Sequence, residues 1–140
     1  MNRFKDVQSK LAKEKSLIYF DCETSPSKFW AWGTGKQYIT EKQIVEGTET
    51  KIMLVQWMFE GDSKVSYLTW DKNHNDKELL RKFSEIMQGV KVAVSQNGKE
   101  FDHKVLRYRL MINNLSPLKD VLIFDTLLLS QGSFRSLVIS

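Results

Sequence analysis

Disulfide bonding is excluded in this chain, because its 140 residues include a single cysteine, Cys22. A lone cysteine is typical of a reducing compartment, and we expect it to be a small buried hydrophobic residue rather than a nucleophile. Long apolar runs are also missing, both in the charged N-terminal stretch and further along. We therefore expect no signal peptide, no membrane span and a cytoplasmic location.

The composition that remains is that of one globular unit. Hydrophobic residues make up 41% of the chain, which is enough for one core. The net charge of +4 and the isoelectric point near 9.1 favour acidic partners without requiring them. We predict a basic N-terminal arm or short helix over residues 1–15 and a single domain over residues 16–140.

The stretch Leu17–Thr24, LIYFDCET, organises the predicted fold. Four apolar residues in succession predict a strand that is covered on both faces, and this run stops at two acids. Because side chains alternate along a strand, Asp21 and Glu23 should share one side and Cys22 should face the other. Two adjacent carboxylates repel each other unless a cation lies between them. The simpler alternative is a pair of solvated acids at a strand end.

Several aromatic residues follow in a predicted loop over residues 27–50: Phe29, Trp30, Trp32 and Tyr38. Aromatic side chains beside small residues could stack on nucleic acid bases. More often such side chains pack a long insertion onto its own domain. The sequence leaves both interpretations open.

The rest of the chain alternates between strand and helix patterns. Residues 51–60 and 64–70 predict an antiparallel hairpin, and an apolar stripe after the capping residue Asn75 predicts a helix that ends at Gly89. Residues 90–95 predict a buried strand, and after an Asn-Gly turn a second helix carries Asp102 in its first turn. A last strand covers residues 121–124. We assign no chemistry to His74, which precedes the first of these helices.

The order β-β-β-α-β-α-β predicts an α/β fold, a mixed sheet flanked by helices in the ribonuclease H-like arrangement. The strand after the first of these helices can then lie beside Leu17–Thr24. That placement would bring Asp102 over the end of the strand that bears Asp21 and Glu23. Asp125 should lie further away and cap the turn that follows it.

Two motifs carry a family resemblance. FDCET, followed by SQNGKEFDHKVL, resembles the first two motifs of the DEDD superfamily of 3'-to-5' exonucleases, the DnaQ-like group. The second motif is the more specific, because Asn97, Gly98, Phe101 and Asp102 all fall at fixed spacing. The loop with Trp32 and the FDT of residues 124–126 are similar to predicted bacterial and phage exonucleases related to family B polymerase proofreading domains.

The resemblance implies a two-metal phosphodiesterase site. Asp21, Glu23 and Asp102 would be the catalytic residues and would bind two Mg²⁺ or Mn²⁺ ions, while Glu23 would also orient the attacking water. Thr24, Asn97 and Phe101 would contact substrate, with Phe101 packing under its helix. The implied substrate is nucleic acid, with single-stranded DNA favoured and RNA as the alternative. The location would be the host cytoplasm if the protein is phage-encoded.

The chain departs from the family pattern in its third motif. Neither Tyr-x-x-x-Asp nor His-x-x-x-x-Asp follows Asp102, so we expect a domain truncated before the final helix, with weak metal binding and weak turnover. Two alternatives stay open: a non-catalytic nucleic-acid-binding module, or an interaction domain. In the interaction domain, a bare sheet face would recruit a partner chain or a second copy.

Overall fold

The computed structural model describes residues 3–98 and 101–130. The elements in chain order are α1 Arg3–Lys13, β1 Leu17–Thr24, β2 Ile52–Phe59, β3 Ser66–Thr69, α2 Lys77–Ile86, β4 Val92–Ser95, α3 Asp102–Ile112, β5 Leu122–Asp125 and α4 Thr126–Ser130. Short 3₁₀ turns cover Glu41–Gln43 and Met87–Gly89. Within these ranges no helix is both long and apolar enough to cross a bilayer.

The five strands form one mixed sheet in the order β3-β2-β1-β4-β5. β1, β2 and β3 pair antiparallel, whereas β4 and β5 join in parallel after the crossovers through α2 and α3. This is the ribonuclease H-like arrangement, so the predicted α/β fold is confirmed. The hairpin forms where the sequence predicted it, and β4 lies beside β1 as expected.

The hydrophobic core lies between one face of the sheet and the helices α2 and α3. Ile18, Phe20 and Cys22 alternate along β1 and are buried there, and the apolar stripe of α2 meets them through Phe83. The ring of Phe83 lies 5.8 Å from that of Phe20 and 5.6 Å from that of Trp57. The amphipathic pattern of α2 therefore closes the core over the centre of the sheet.

The prediction that β1 is covered on both faces is wrong. Burial alternates along the strand, and Tyr19 is 37% exposed. A tyrosine tolerates this position because its hydroxyl can reach a polar partner at the surface. Here that hydroxyl donates a hydrogen bond to Glu60 (2.6 Å), which raises the pKa of Tyr19 to about 12.

Helix α1 lies at the margin of this second face, which we call the open face. Of the two predictions for the N-terminal stretch, the helix is the one that forms. Gln8 Nε2 donates a hydrogen bond to Glu60 Oε1 at 2.7 Å. No residue of α1 within Arg3–Lys13 is buried. A cavity of about 360 Å³ separates Phe4, Val7 and Leu11 of the helix from the strands. The open face is thus covered only loosely at this margin.

A buried ion pair joins three elements on the core side. The carboxylate of Asp76 accepts hydrogen bonds from Arg109 Nε (2.8 Å) and Nη2 (2.6 Å), and also from the Ile52 backbone N–H (2.9 Å). Asp76 precedes α2, Arg109 lies on α3 and Ile52 begins β2. The predicted cap at Asn75 is wrong by one residue: the N-cap of α2 is Asp76, and Asn75 accepts the Lys77 N–H at 2.9 Å in the turn before the helix.

The expected truncation before a third-motif helix concerns residues after Ser130, which lie outside the described residues.

Candidate active site

Two acids of β1 project from the open face. Asp21 and Glu23 are exposed, whereas Cys22 between them points into the core, as the strand period predicts. Asp21 also lines a cavity of about 370 Å³, whose walls include Gln56, Ser95 and Thr126. A carboxylate at this position is open to a solvent-borne ligand.

The geometry of the sheet explains why a third acid can approach. β4 pairs with β1 only as far as Tyr19↔Val94, so β1 continues beyond the end of its neighbour. Asp102, in the first turn of α3, approaches this unpaired part of β1, near enough to the Cys22 backbone for that group to lower its pKa. Asp102 is only 2% exposed.

The electrostatics of Asp102 reflect that placement. Its pKa is raised to about 6, first by burial and then by the negative charge of Asp21. The Cys22 backbone opposes this rise, while the charges of Asp125 and Glu23 add to it. Within residues 3–98 and 101–130, Asp102 Oδ1 has no hydrogen-bond partner. A buried carboxylate oxygen without a donor, in a field of like charges, is a site where a cation would be stabilising.

Carboxylate oxygens suit a hard divalent cation, but in this structure they are not arranged closely enough to surround one. Among the described residues, no group of three or more His, Cys, Asp or Glu side chains lies close enough together to hold a metal ion. Asp21 and Glu23 are exposed and free to change rotamer, whereas Asp102 is fixed. Ion binding would therefore require the two strand carboxylates to turn towards Asp102.

The Asn-Gly turn positions Asp102 from the other side. Asn97 has a positive φ of 56°, which asparagine tolerates, and its carbonyl accepts the Phe101 N–H at 3.0 Å. Gly98 packs against the Ser95 side chain so closely that a Cβ would collide with it. That same Cβ would lie 3.6 Å from Asp102 Oδ2. The turn therefore requires glycine for close approach.

The predicted position of Asp125 needs correction. It pairs with Ser95 across the sheet, is buried, and accepts the backbone N–H groups of Asn97 (2.8 Å) and Leu127 (3.0 Å). The second bond is the capping role that was predicted. The first ties Asp125 to the turn before Asp102, so it is not remote from the site. Register explains this, because β5 ends level with β4.

The predicted substrate contacts are placed unequally. Asn97 lies in the turn beside the site, and Thr24 is half-buried at a register shift after Glu23. Phe101 is 44% exposed, so the expectation that it packs under α3 is wrong. The residue just before the first turn of a helix has no turn above it to pack against, which leaves this ring accessible.

Comparison with known proteins gives a distant structural neighbour and no family. No family profile matches the chain, and no curated protein matches it. Among solved structures, a family B DNA polymerase from the hyperthermophilic archaeon Pyrobaculum calidifontis aligns with a TM-score of 0.49 and 15% identity. The alignment covers 71% of this chain and 11% of the polymerase, so the chain spans a small part of that protein.

Two further buried titratable groups, Cys22 and His103, lie beside the acids. Burial, together with the charges of Asp102, Asp21 and Glu23, raises the pKa of Cys22 far above its usual range. The thiol is therefore not an activated nucleophile, as expected. Burial and the Arg107 charge lower the pKa of His103, whose Nδ1 has no partner within the described ranges. Sequence reasoning missed His103, since one histidine on a helix carries no spacing signal.

Proposed function

We propose that this protein is a metal-dependent 3'-to-5' exonuclease that hydrolyses terminal phosphodiester bonds of nucleic acid, preferentially single-stranded DNA. The observation that carries the proposal is Asp102, a buried carboxylate that has an unpartnered oxygen and feels the charges of Asp21 and Glu23. A like-charged cluster of this kind is costly without a counter-ion, and such costs concentrate at functional sites.

In this proposal Asp21, Glu23 and Asp102 hold the ions, and the cavity beside Asp21 admits the strand end. Bound Mg²⁺ or Mn²⁺ would supply water activation and stabilisation of the leaving 3' oxygen. Asp102 is the fixed member because it is buried and because the Asn-Gly turn before it is hydrogen-bonded to the start of α3. Glu23 is assigned the orientation of the attacking water, and Thr24 and Asn97 line the approach.

A second candidate is a non-catalytic module that binds nucleic acid. It is favoured by the spacing of the acids, which do not form a metal-holding group within residues 3–98 and 101–130. This alternative shares the surface but not the chemistry.

Calorimetric titration with Mn²⁺ tests the metal site directly. We expect binding to the wild-type chain and its loss in Asp102→Asn, which keeps the shape of the side chain but removes its charge. Glu85→Gln, an exposed acid on α2, is the matched control and should titrate like the wild type. Equal titration of the wild type and Asp102→Asn would contradict the assignment.

A nuclease assay tests the reaction. Homogeneous protein with Mn²⁺ should shorten a 5'-labelled single-stranded DNA one nucleotide at a time from the 3' end, and Asp21→Asn should abolish this activity. A strand blocked at its 3' end controls for endonuclease contamination. Intact substrate after incubation with wild-type protein, combined with tight DNA binding, would favour the non-catalytic module instead.

A further inference from the structure

The segment between β1 and β2 presents an unusual set of exposed aromatic rings. Trp32 is 94% exposed, Trp30 is 69% exposed, and Tyr38 is fully exposed. Tryptophan is seldom left so accessible, because burying its ring is strongly favourable. These rings therefore do not pack onto the domain, which was one of the two interpretations that the sequence left open.

The segment is nevertheless anchored at its base. Phe29 and Ile44 form a β-bridge, the Trp30 N–H donates to the Gln43 carbonyl (2.7 Å), and the Val45 N–H donates to the Lys28 carbonyl (2.8 Å). Gln43 Nε2 donates a further bond to the Trp30 carbonyl at 3.0 Å. The backbone at the base of the segment that carries the exposed rings is therefore held by hydrogen bonds.

The charge and position of residues 28–38 bear on what these rings could bind; the acids of the segment, Glu41, Glu46 and Glu49, all follow Tyr38. Between Lys28 and Tyr38 the sequence has two lysines, Lys28 and Lys36, and no acid. The base of the segment adjoins the acidic end of β1, since the Ser25 N–H donates to the Lys51 carbonyl (2.8 Å) directly after Glu23 and Thr24. Aromatic faces with interspersed cations suit stacked bases and their phosphates.

We propose that Trp30, Trp32 and Tyr38 form a stacking surface for single-stranded nucleic acid, with Lys28 and Lys36 contacting its phosphates. The inference deepens the proposed function and rests on it in one respect, namely that the bound strand leads to the acids of β1. A duplex hides its base faces, so the surface selects unpaired strands. Both DNA and RNA carry this chemistry.

Binding is measured by fluorescence anisotropy in EDTA, so that hydrolysis plays no part. We expect Trp32→Ala and Trp30→Ala each to weaken binding of a labelled oligothymidylate about tenfold, and Trp32→Phe to retain most of the affinity. Tyr108→Ala, which removes an exposed ring from α3, is the matched control and should bind normally. Thermal melting of each variant verifies that it is folded.

An abasic strand of equal length separates stacking from charge. The wild type should bind it about as weakly as Trp32→Ala binds the oligothymidylate, and oligouridylate should show the same Trp32 dependence as DNA. Equal affinity of the wild type for abasic and normal strands, or wild-type affinity in both tryptophan variants, would overturn the inference. So would failure to bind any strand at low salt together with Trp32-dependent self-association, which would assign the surface to protein contacts.

The two proposals fail in different ways. Trp32-dependent binding without hydrolysis in Mn²⁺ would remove the exonuclease and keep the stacking surface. Hydrolysis with wild-type affinity in the tryptophan variants would remove the stacking surface and keep the enzyme.

Discussion

Burial and the neighbouring negative charges both raise the pKa of Asp102, so the free energy of unfolding should depend on pH through this group. Because its folded pKa of about 6 exceeds the ordinary 3.8, the protonated form is favoured by folding. Relative to the ionised form, protonated Asp102 stabilises the fold, and this contribution is complete below about pH 4 and is lost as the pH rises through about 6. Above that pH the ionised carboxylate costs about 3 kcal/mol.

Asp102→Asn should therefore be more stable than the wild type at neutral pH in EDTA, and the difference should vanish near pH 4. Denaturant unfolding across this pH range measures it. Asp6→Asn, which replaces an exposed acid on α1, serves as the control. A parallel pH profile for the wild type and Asp102→Asn would show that the carboxylate is not strained.

Gly98 gives a second expectation at the level of a single residue. Gly98→Ala should lower the free energy of unfolding by about 1 to 3 kcal/mol, because its Cβ would collide with Ser95. The double variant Ser95→Gly with Gly98→Ala should recover part of that loss, as measured by chemical denaturation. Gly89→Ala is the matched control, since its Cβ would meet no atom within 4 Å among the described residues. Equal effects of the two alanine substitutions would refute the steric explanation.

Among the elements, β2, α2 and α3 are held together by one ion pair. Asp76→Ala should destabilise the fold by about 3 to 5 kcal/mol, because it leaves the buried Arg109 guanidinium without its counter-charge. Replacing both residues with apolar ones should restore much of the stability. Glu78→Ala, which breaks the exposed pair with Arg81, should cost less than about 1 kcal/mol. Thermal and urea unfolding would compare them, and similar losses in the two alanine variants would contradict this account.

How far the sequence predicts these elements depends on whether the signal is local. β1 is indicated by an apolar run, the hairpin by two β-prone segments around a short turn, and α2 and α3 by helical spacing, and the strand order follows from their succession. The Asp76–Arg109 pair has no such signal, because its partners are 33 residues apart and each is an ordinary charged residue. Exposure of Tyr19 was missed for a related reason, since an apolar run does not show which face a helix will cover.

The candidate site was predictable in outline only. Alternation along β1 gave the shared side of Asp21 and Glu23, and the helix start gave the position of Asp102. The approach of Asp125 depends on where β4 and β5 end, and strand ends are poorly marked in sequence. Whether Trp32 is packed or exposed depends on contacts across the whole surface, which no local pattern contains.

For the whole molecule, the basic surface charge should make strand binding sensitive to salt. Phosphate contacts release counterions, so the logarithm of affinity should fall linearly with the logarithm of salt concentration, with a slope of about −0.7 per phosphate contacted. Titrations between about 50 and 200 mM salt would measure it. An oligomer with an uncharged backbone should show little salt dependence, and a flat response with ordinary DNA would mean that the net charge of +4 is not used for binding.

The early end of β4 has a consequence for the order of assembly. Asp21 pairs with Gln56 of the antiparallel neighbour β2, whereas Asp102 is more distant in sequence and follows the parallel strand β4. Non-local pairings of this kind form late in folding. We therefore expect repulsion among the three carboxylates to arise late in folding, and a divalent ion bound as proposed should slow unfolding more than it speeds refolding.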